Sequence, residues 1–220
     1  MQVEWYGQSA FRLSDGKDTI FIDPFDVAMF TARGMRWDYP AIAGVEAELL
    51  LVTHEHGDHN AIEVIGGDPA VLRSKAGTHE SPIGEVIGIA SEHDEVAGTQ
   101  RGPNTIFAFT FGGRRIAHFG DFGQAALRPE QLAALGTVDL LFIPIGGGPT
   151  IGAEQATEIA VQLGAQIIVP MHYRTERIDF LEPVDDFAAR AAQIERTDGP
   201  AFEVEAVAGD GPKVVVPAAP

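Results

Sequence analysis

Thr53-His54-Glu55-His56-Gly57-Asp58-His59 places four metal-capable side chains within six residues, between the apolar run Glu48 to Val52 and the stretch Asn60 to Gly66. At the end of a strand, residues two apart project to the same side, so His54 and His56 can share one target. Gly57 is free to turn sharply, which would swing Asp58 and His59 toward the same space. Imidazole and carboxylate suit zinc, at about 2.0–2.2 Å from nitrogen or oxygen. Six residues cannot easily wrap one ion with all four groups. The division expected is His54 and His56 on one metal, with Asp58 and His59 on a neighbour. The plainer alternative makes Asp58 a helix N-cap and the histidines surface residues.

Outward from this stretch, strand-length apolar runs recur between turn signals: VEWYG, AFRL, TIFID, ELLLVT, EVIGIA, TIFAFTF, RRIAHF, DLLFIPI, QIIVPM and KVVVP. Helical periodicity is read at 60–66, 128–135, 153–164 and 184–195. The order predicts a layered α/β protein, and the lack of an internal Pro-, Gly- or Ser-rich linker predicts a single domain over 1–220. Phe25 to Glu46 reads as neither helix nor strand and carries Met29, Phe30, Met35, Trp37 and Tyr39. Long loops in compact domains are often functional. Trp37 is therefore expected near the metal rim, shaping a substrate pocket, with core or interface packing as the alternative.

The HxHxDH pattern of residues 54–59 resembles the signature of the metallo-β-lactamase superfamily, and the resemblance extends over nearly the whole chain. It implies a four-layer αββα sandwich, with two mixed sheets face to face and metals at one rim. Asp23, in Phe21-Ile22-Asp23-Pro24, looks like the family's aspartate that orients the histidine loop. His93 is similar to the histidine that completes the first metal with His54 and His56. Its competitor is His79. Asp121 looks like the bridging carboxylate, and His172 like the histidine that finishes the second metal with Asp58, His59 and Asp121. His118, three residues before Asp121, should face away by strand alternation and is left out of the ligand set.

The blocks EHDEVAGTQRGPNTIFAF, RRIAHFGDFG, DLLFIPIGGGPTIGAEQA and IIVPMHYRT resemble a small bacterial and archaeal branch of Zn-dependent hydrolases. That branch is related to ascorbate-6-phosphate lactonase and to the phospholipase D that cleaves N-acylphosphatidylethanolamine. Both relatives have longer chains, so their particular substrates do not transfer. The implied cofactors are two divalent ions, zinc first, with manganese, iron or nickel compatible with imidazole-rich ligands. Such a pair, about 3.5–4 Å apart, supplies a metal-bound hydroxide near neutral pH. The expected reaction is cleavage of a small ester-type bond: lactone, phosphodiester or thioester. For the leaving-group proton the resemblance implies Asp58 or a metal-bound water. The alternatives are a non-catalytic metal-binding scaffold and a redox di-iron protein of the same fold. The latter resembles this pattern with glutamate at the position of His56 and carries a flavin domain.

Composition narrows the partners. The 220 residues include 15 basic and 32 acidic side chains, a net charge of -17, which disfavours nucleic acid and other long polyanions. A small, anionic substrate drawn locally to the metals is expected instead. With no cysteine there is no thiolate ligand and no disulfide framework, which disfavours the antibiotic-hydrolysing branch that uses a Cys ligand. No apolar run approaches about 18 residues and no signal segment is read at the start, so a cytoplasmic location without stable membrane insertion is expected. A homo-oligomer stays open.

Overall fold

The computed structural model describes residues 1–32, 34, 36–205 and 211–220. Met35 of the aromatic segment therefore lies outside the described residues. Strands β1 (Gln2–Gly7), β2 (Ala10–Ser14), β3 (Thr19–Ile22), β4 (Leu49–Val52) and β5 (Ala70–Arg73) form one mixed sheet. The late strand β13 (Ala201–Glu203) pairs with β1 to complete it, in the order β13-β1-β2-β3-β4-β5. The second sheet holds β6 (Gly77–Ser81), β7 (Gly84–Glu92), β8 (Pro103–Phe111), β9 (Arg114–His118), β10 (Leu140–Pro144), β11 (Ile167–Met171), β12 (Gln193–Arg196) and β14 (Lys213–Val216). Its order is β12-β14-β11-β10-β9-β8-β7-β6.

Alternation along the first sheet sorts its side chains between two cores. Leu49 and Leu51 of β4, Ile20 and Ile22 of β3, and Phe11 and Leu13 of β2 face the main core against the second sheet. Their neighbours Leu50, Phe21 and Ala10 face a separate cluster on the outer side. Phe11 meets Phe142 of β10 across the sandwich at 4.6 Å between ring centroids. The second sheet is covered on both faces, so β10 and β11 are continuous buried runs. Helices α2 (Pro129–Leu135) and α3 (Ala153–Gln162) lie against it, burying Leu135, Ala156 and Ile159.

The outer layer of the first sheet differs from expectation. Among the described residues, only α1 (Val27–Ala32) and a single 3-10 turn (Ile62–Val64) are helical there. The cover is mostly irregular chain: Phe25, Phe30, Trp37, Tyr39, Ile42 and Val45 pack with Ile178 and Leu181 over Phe21 and Leu50. The helix read at 60–66 is thus reduced to one turn, and the Gly66 N–H that would continue it donates to the Val45 carbonyl instead. The helix read at 184–195 is also corrected. Its first residues form the short α4 (Asp185–Ala188), and its end leaves as β12, in parallel register with β14 from Gln193–Lys213 to Arg196–Val216. Among the described residues no helix is long and apolar enough to cross a membrane.

Candidate metal centre

The carboxyl ends of β3, β4, β7, β9 and β11 meet at one rim of the sandwich, the usual location of ligand sites in layered α/β proteins. Asp23 follows β3, His54 to His59 follow β4, His93 follows β7, Asp121 follows β9 and His172 follows β11. All seven residues expected to be ligands come together there. His54, His56 and His93 form one group, and Asp58, His59, Asp121 and His172 another, each with its donor atoms within 4.8 Å of one another. His79 stays on the edge strand β6, against the Lys75 carbonyl at 3.2 Å.

Inside the first group, His54 Nε2 and His56 Nδ1 face each other at 3.1 Å. Asp121 lies between the groups. Its Oδ2 is 3.1 Å from His93 Nε2, 3.3 Å from His172 Nε2 and 3.9 Å from His54 Nε2, while Oδ1 is 3.3 Å from His59 Nε2. Asp58 Oδ2 approaches the same His59 nitrogen at 3.5 Å.

These inward nitrogens are aimed by what holds the opposite ring atom. His59 Nδ1 bonds Asp23 Oδ2 at 2.9 Å, and His93 Nδ1 bonds the Pro149 carbonyl at 2.9 Å. His54 Nδ1 meets Thr53 Oγ1 at 3.1 Å, and that hydroxyl donates to Asp23 Oδ2 at 2.7 Å. One buried carboxylate thus orients His59 directly and His54 through Thr53. His59 Nε2 is buried with no hydrogen-bond partner, as befits an atom left for a cation. Five imidazoles and two carboxylates with such an orphaned nitrogen fit a pair of divalent ions.

Charge follows from the same packing. Burial, reinforced by His59, pushes His54 well below its ordinary pKa, and burial also lowers His56 and His172, toward the neutral form that ligates a metal. Burial also opposes a charge on His59, but Asp121, Asp58 and Asp23 outweigh it and raise its pKa. Asp121 and Asp58 are held below the carboxylate range despite their burial, by His172 and His59 for Asp121 and by His59 for Asp58.

Several supports carry no signal in the sequence. Ser9 Oγ donates to Asp121 Oδ1 at 3.3 Å across 112 residues of chain. The buried Asn104 accepts the Asp121 N–H at 3.1 Å and donates to the Phe119 carbonyl at 2.9 Å. His118 lies outside both groups: it reaches the Ser9 carbonyl through Nε2 at 3.0 Å, while its Nδ1 accepts the Gly120 N–H at 3.2 Å. Asp23 and His172 have φ of +52° and +50°, strained values for side-chain-bearing residues and concentrated here at the rim. Gly57 needs no unusual backbone. Its missing side chain instead makes room for Met29 of α1, whose Sδ and Cε occupy the place of a Cβ. At Gly146 a Cβ would collide with the His172 carbonyl.

Over the donors opens a cleft of about 390 Å³, lined by His56, Asp58, His93, Asp121 and His172 together with Met29, Phe30, Trp37, Phe180, Glu55 and Arg101. Trp37 thus borders the site while it is also buried, stacked on Phe30 at 3.8 Å. The residue is thus near the rim, as expected, and packed in the outer core as well.

Two mixed sheets that gather five histidines and two aspartates at one rim define the metallo-β-lactamase class of proteins. The chain belongs to that superfamily: the model of the beta-lactamase superfamily domain matches residues 2–172. A metal-dependent hydrolase of Geobacillus thermodenitrificans is 32% identical over 204 residues, covering 80% of this chain and 86% of its own. A second, from Natranaerobius thermophilus, is 28% identical and covers 93% and 96%. A Thermotoga maritima structure of the metallo-beta-lactamase superfamily superposes with a TM-score of 0.79 at 30% identity, over 98% of both chains.

Proposed function

We propose that the protein is a dinuclear metal-dependent hydrolase that cleaves a small ester-type bond, a lactone, phosphodiester or thioester. The observation that carries the reading is the inward aim of the donors, three of whose imidazoles are tied from behind by Thr53, Asp23 and the Pro149 carbonyl. His54, His56 and His93 would hold one ion, and Asp58, His59 and His172 the other, with Asp121 shared. When bound, such ions polarise the carbonyl or phosphoryl oxygen and acidify water. The chain supplies the rest. Asp58 lines the cleft with its side chain 24% exposed, so its carboxylate can take a proton from the attacking water and return it to the leaving oxygen. Water is thereby added across the broken bond, its oxygen on the acyl or phosphoryl centre and a proton on the leaving oxygen or, in a thioester, sulfur, which gives two products or, from a lactone, one ring-opened hydroxy acid. The buried wall of Phe30 and Trp37 limits competing solvent at one side.

Metal analysis and a substrate panel test the reading together. Reconstituted protein should carry two transition-metal ions per chain, hydrolyse at least one lactone or phosphodiester only while metal is present, and leave β-lactams intact. A folded protein that binds no metal, or activity that survives complete chelation, overturns it.

A further inference from the structure

Glu55 and Arg101 are the charged side chains of the cleft outside the ligand set. Glu55 is already neutralised: Arg73 Nε approaches its two oxygens at 2.9 and 2.8 Å, and Ser74 Oγ donates at 2.9 Å. Arg101 is exposed, and among the described residues its guanidinium has neither an ion pair nor a hydrogen bond. Its backbone, in contrast, is fastened. The Asp94 carboxylate accepts the N–H groups of Val96 and Gly98 on Oδ1 and those of Gln100 and Arg101 on Oδ2, at 2.8 to 3.0 Å. Asp94 adjoins His93, so the loop that carries Arg101 is anchored beside the metal centre while its side chain stays free. The apolar lining comes from the other sheet's cover: Met29, Phe30, Trp37 and the half-exposed Phe180. Fixed backbone, free guanidinium and an apolar wall together make a site for an amphiphilic anion.

We infer that Arg101 is the specificity-determining residue of the cleft and binds an oxyanion of the substrate that does not react, next to an apolar acyl or aryl part held by Phe30, Trp37 and Phe180. The inference rests on the hydrolytic reading for the identity of the reacting bond. Its own content is the anionic group outside the reacting bond. A guanidinium offers a carboxylate or phosphate two parallel donors, which a point charge does not. With two divalent ions in place, four positive charges face the carboxylates of Asp58 and Asp121, and Arg101 adds one more, so the cleft attracts anions in spite of an acidic surface.

Calorimetric titration of the metal-loaded protein with three probes tests this: 4-phenylbutyrate, 3-phenylpropyl phosphate and the uncharged 4-phenylbutanol. Arg101→Gln should weaken both anions about tenfold or more and leave the alcohol unchanged, as the loss of one charge-assisted contact predicts. Arg101→Lys should fall between, and the tighter of the two anions in wild type identifies the oxyanion. Anion affinities that are equal in wild type and Arg101→Gln overturn the inference, as does a wild type that prefers the alcohol. Because the titration reads binding, it separates the two proposals. Tight, Arg101-dependent anion binding without ester turnover would sink the hydrolytic reading alone, and turnover with no Arg101 dependence would sink this one alone.

Discussion

The two donor groups are built from opposite materials. His54, His56 and His93 are all imidazole, and His56 stands open to solvent. Asp58, His59, Asp121 and His172 combine two carboxylates with two imidazoles, three of the four buried, and Asp23 behind them adds a further negative charge. A buried carboxylate pair pays its desolvation only if a cation answers it, so the second group has the stronger electrostatic demand for metal. The first group asks less, and on the proposed reading it would empty first. On the proposed reading, two ions that share Asp121 would still differ in affinity.

The sharpest way to break that distinction is Asp121→Ala. It removes the one carboxylate that faces His59, His93 and His172, so both groups should lose metal. Affinity should drop by more than the roughly 10- to 100-fold typical of an outer-shell partner. Retention of two ions per chain after dialysis would show that Asp121 is not shared.

Thr53→Val acts on one group. It deletes the hydroxyl that relays Asp23 to His54 while Asp23 keeps its direct bond to His59. The first group should weaken about 10-fold or more and the second should be spared. Graded chelation followed by metal analysis should then show the plateau at one ion per chain begin at a lower chelator concentration than in wild type. An equal loss from both groups would mean that Thr53 supports the loop as a whole.

A third expected effect leaves the metal groups aside and concerns His118, the buried histidine outside both groups. Its neutral form is matched on both nitrogens, and burial lowers its pKa from 6.5 to about 4. Between these values the unfolded chain binds the proton and the folded one does not. Its contribution is therefore complete above about pH 6.5 and is lost as pH falls toward 4, by about 3 kcal/mol. In metal-free protein, His118→Gln should flatten the fall of unfolding free energy across that window. An unchanged slope in denaturant titrations would assign the acid sensitivity to other groups.

What was legible in the sequence and what was not divides along a physical line. The ten central strands announce themselves as apolar runs because burial demands it. The four strands absent from that reading, β5, β6, β12 and β13, are the four sheet edges. Their side chains are largely exposed, so nothing in their polarity marks them, and backbone pairing with a neighbour defines them. Likewise the 184–195 pattern was compatible with a helix until β14 offered a parallel partner.

At the site, His54, His56, Asp58 and His59 were visible together because they are adjacent in the chain. His93, Asp121 and His172 gained meaning only from a family pattern, since each alone is an ordinary residue at a strand end. The sequence by itself therefore determined the strand-rich layering, the histidine loop and the donor chemistry, all of which are local or compositional. The tertiary structure decided the rest: Ser9 and Asn104 behind Asp121, Met29 seated on Gly57, and Arg101 beside an apolar wall from the other sheet. Those contacts depend on chain crossings over many residues, and no local periodicity or spacing encodes where two strand ends will meet.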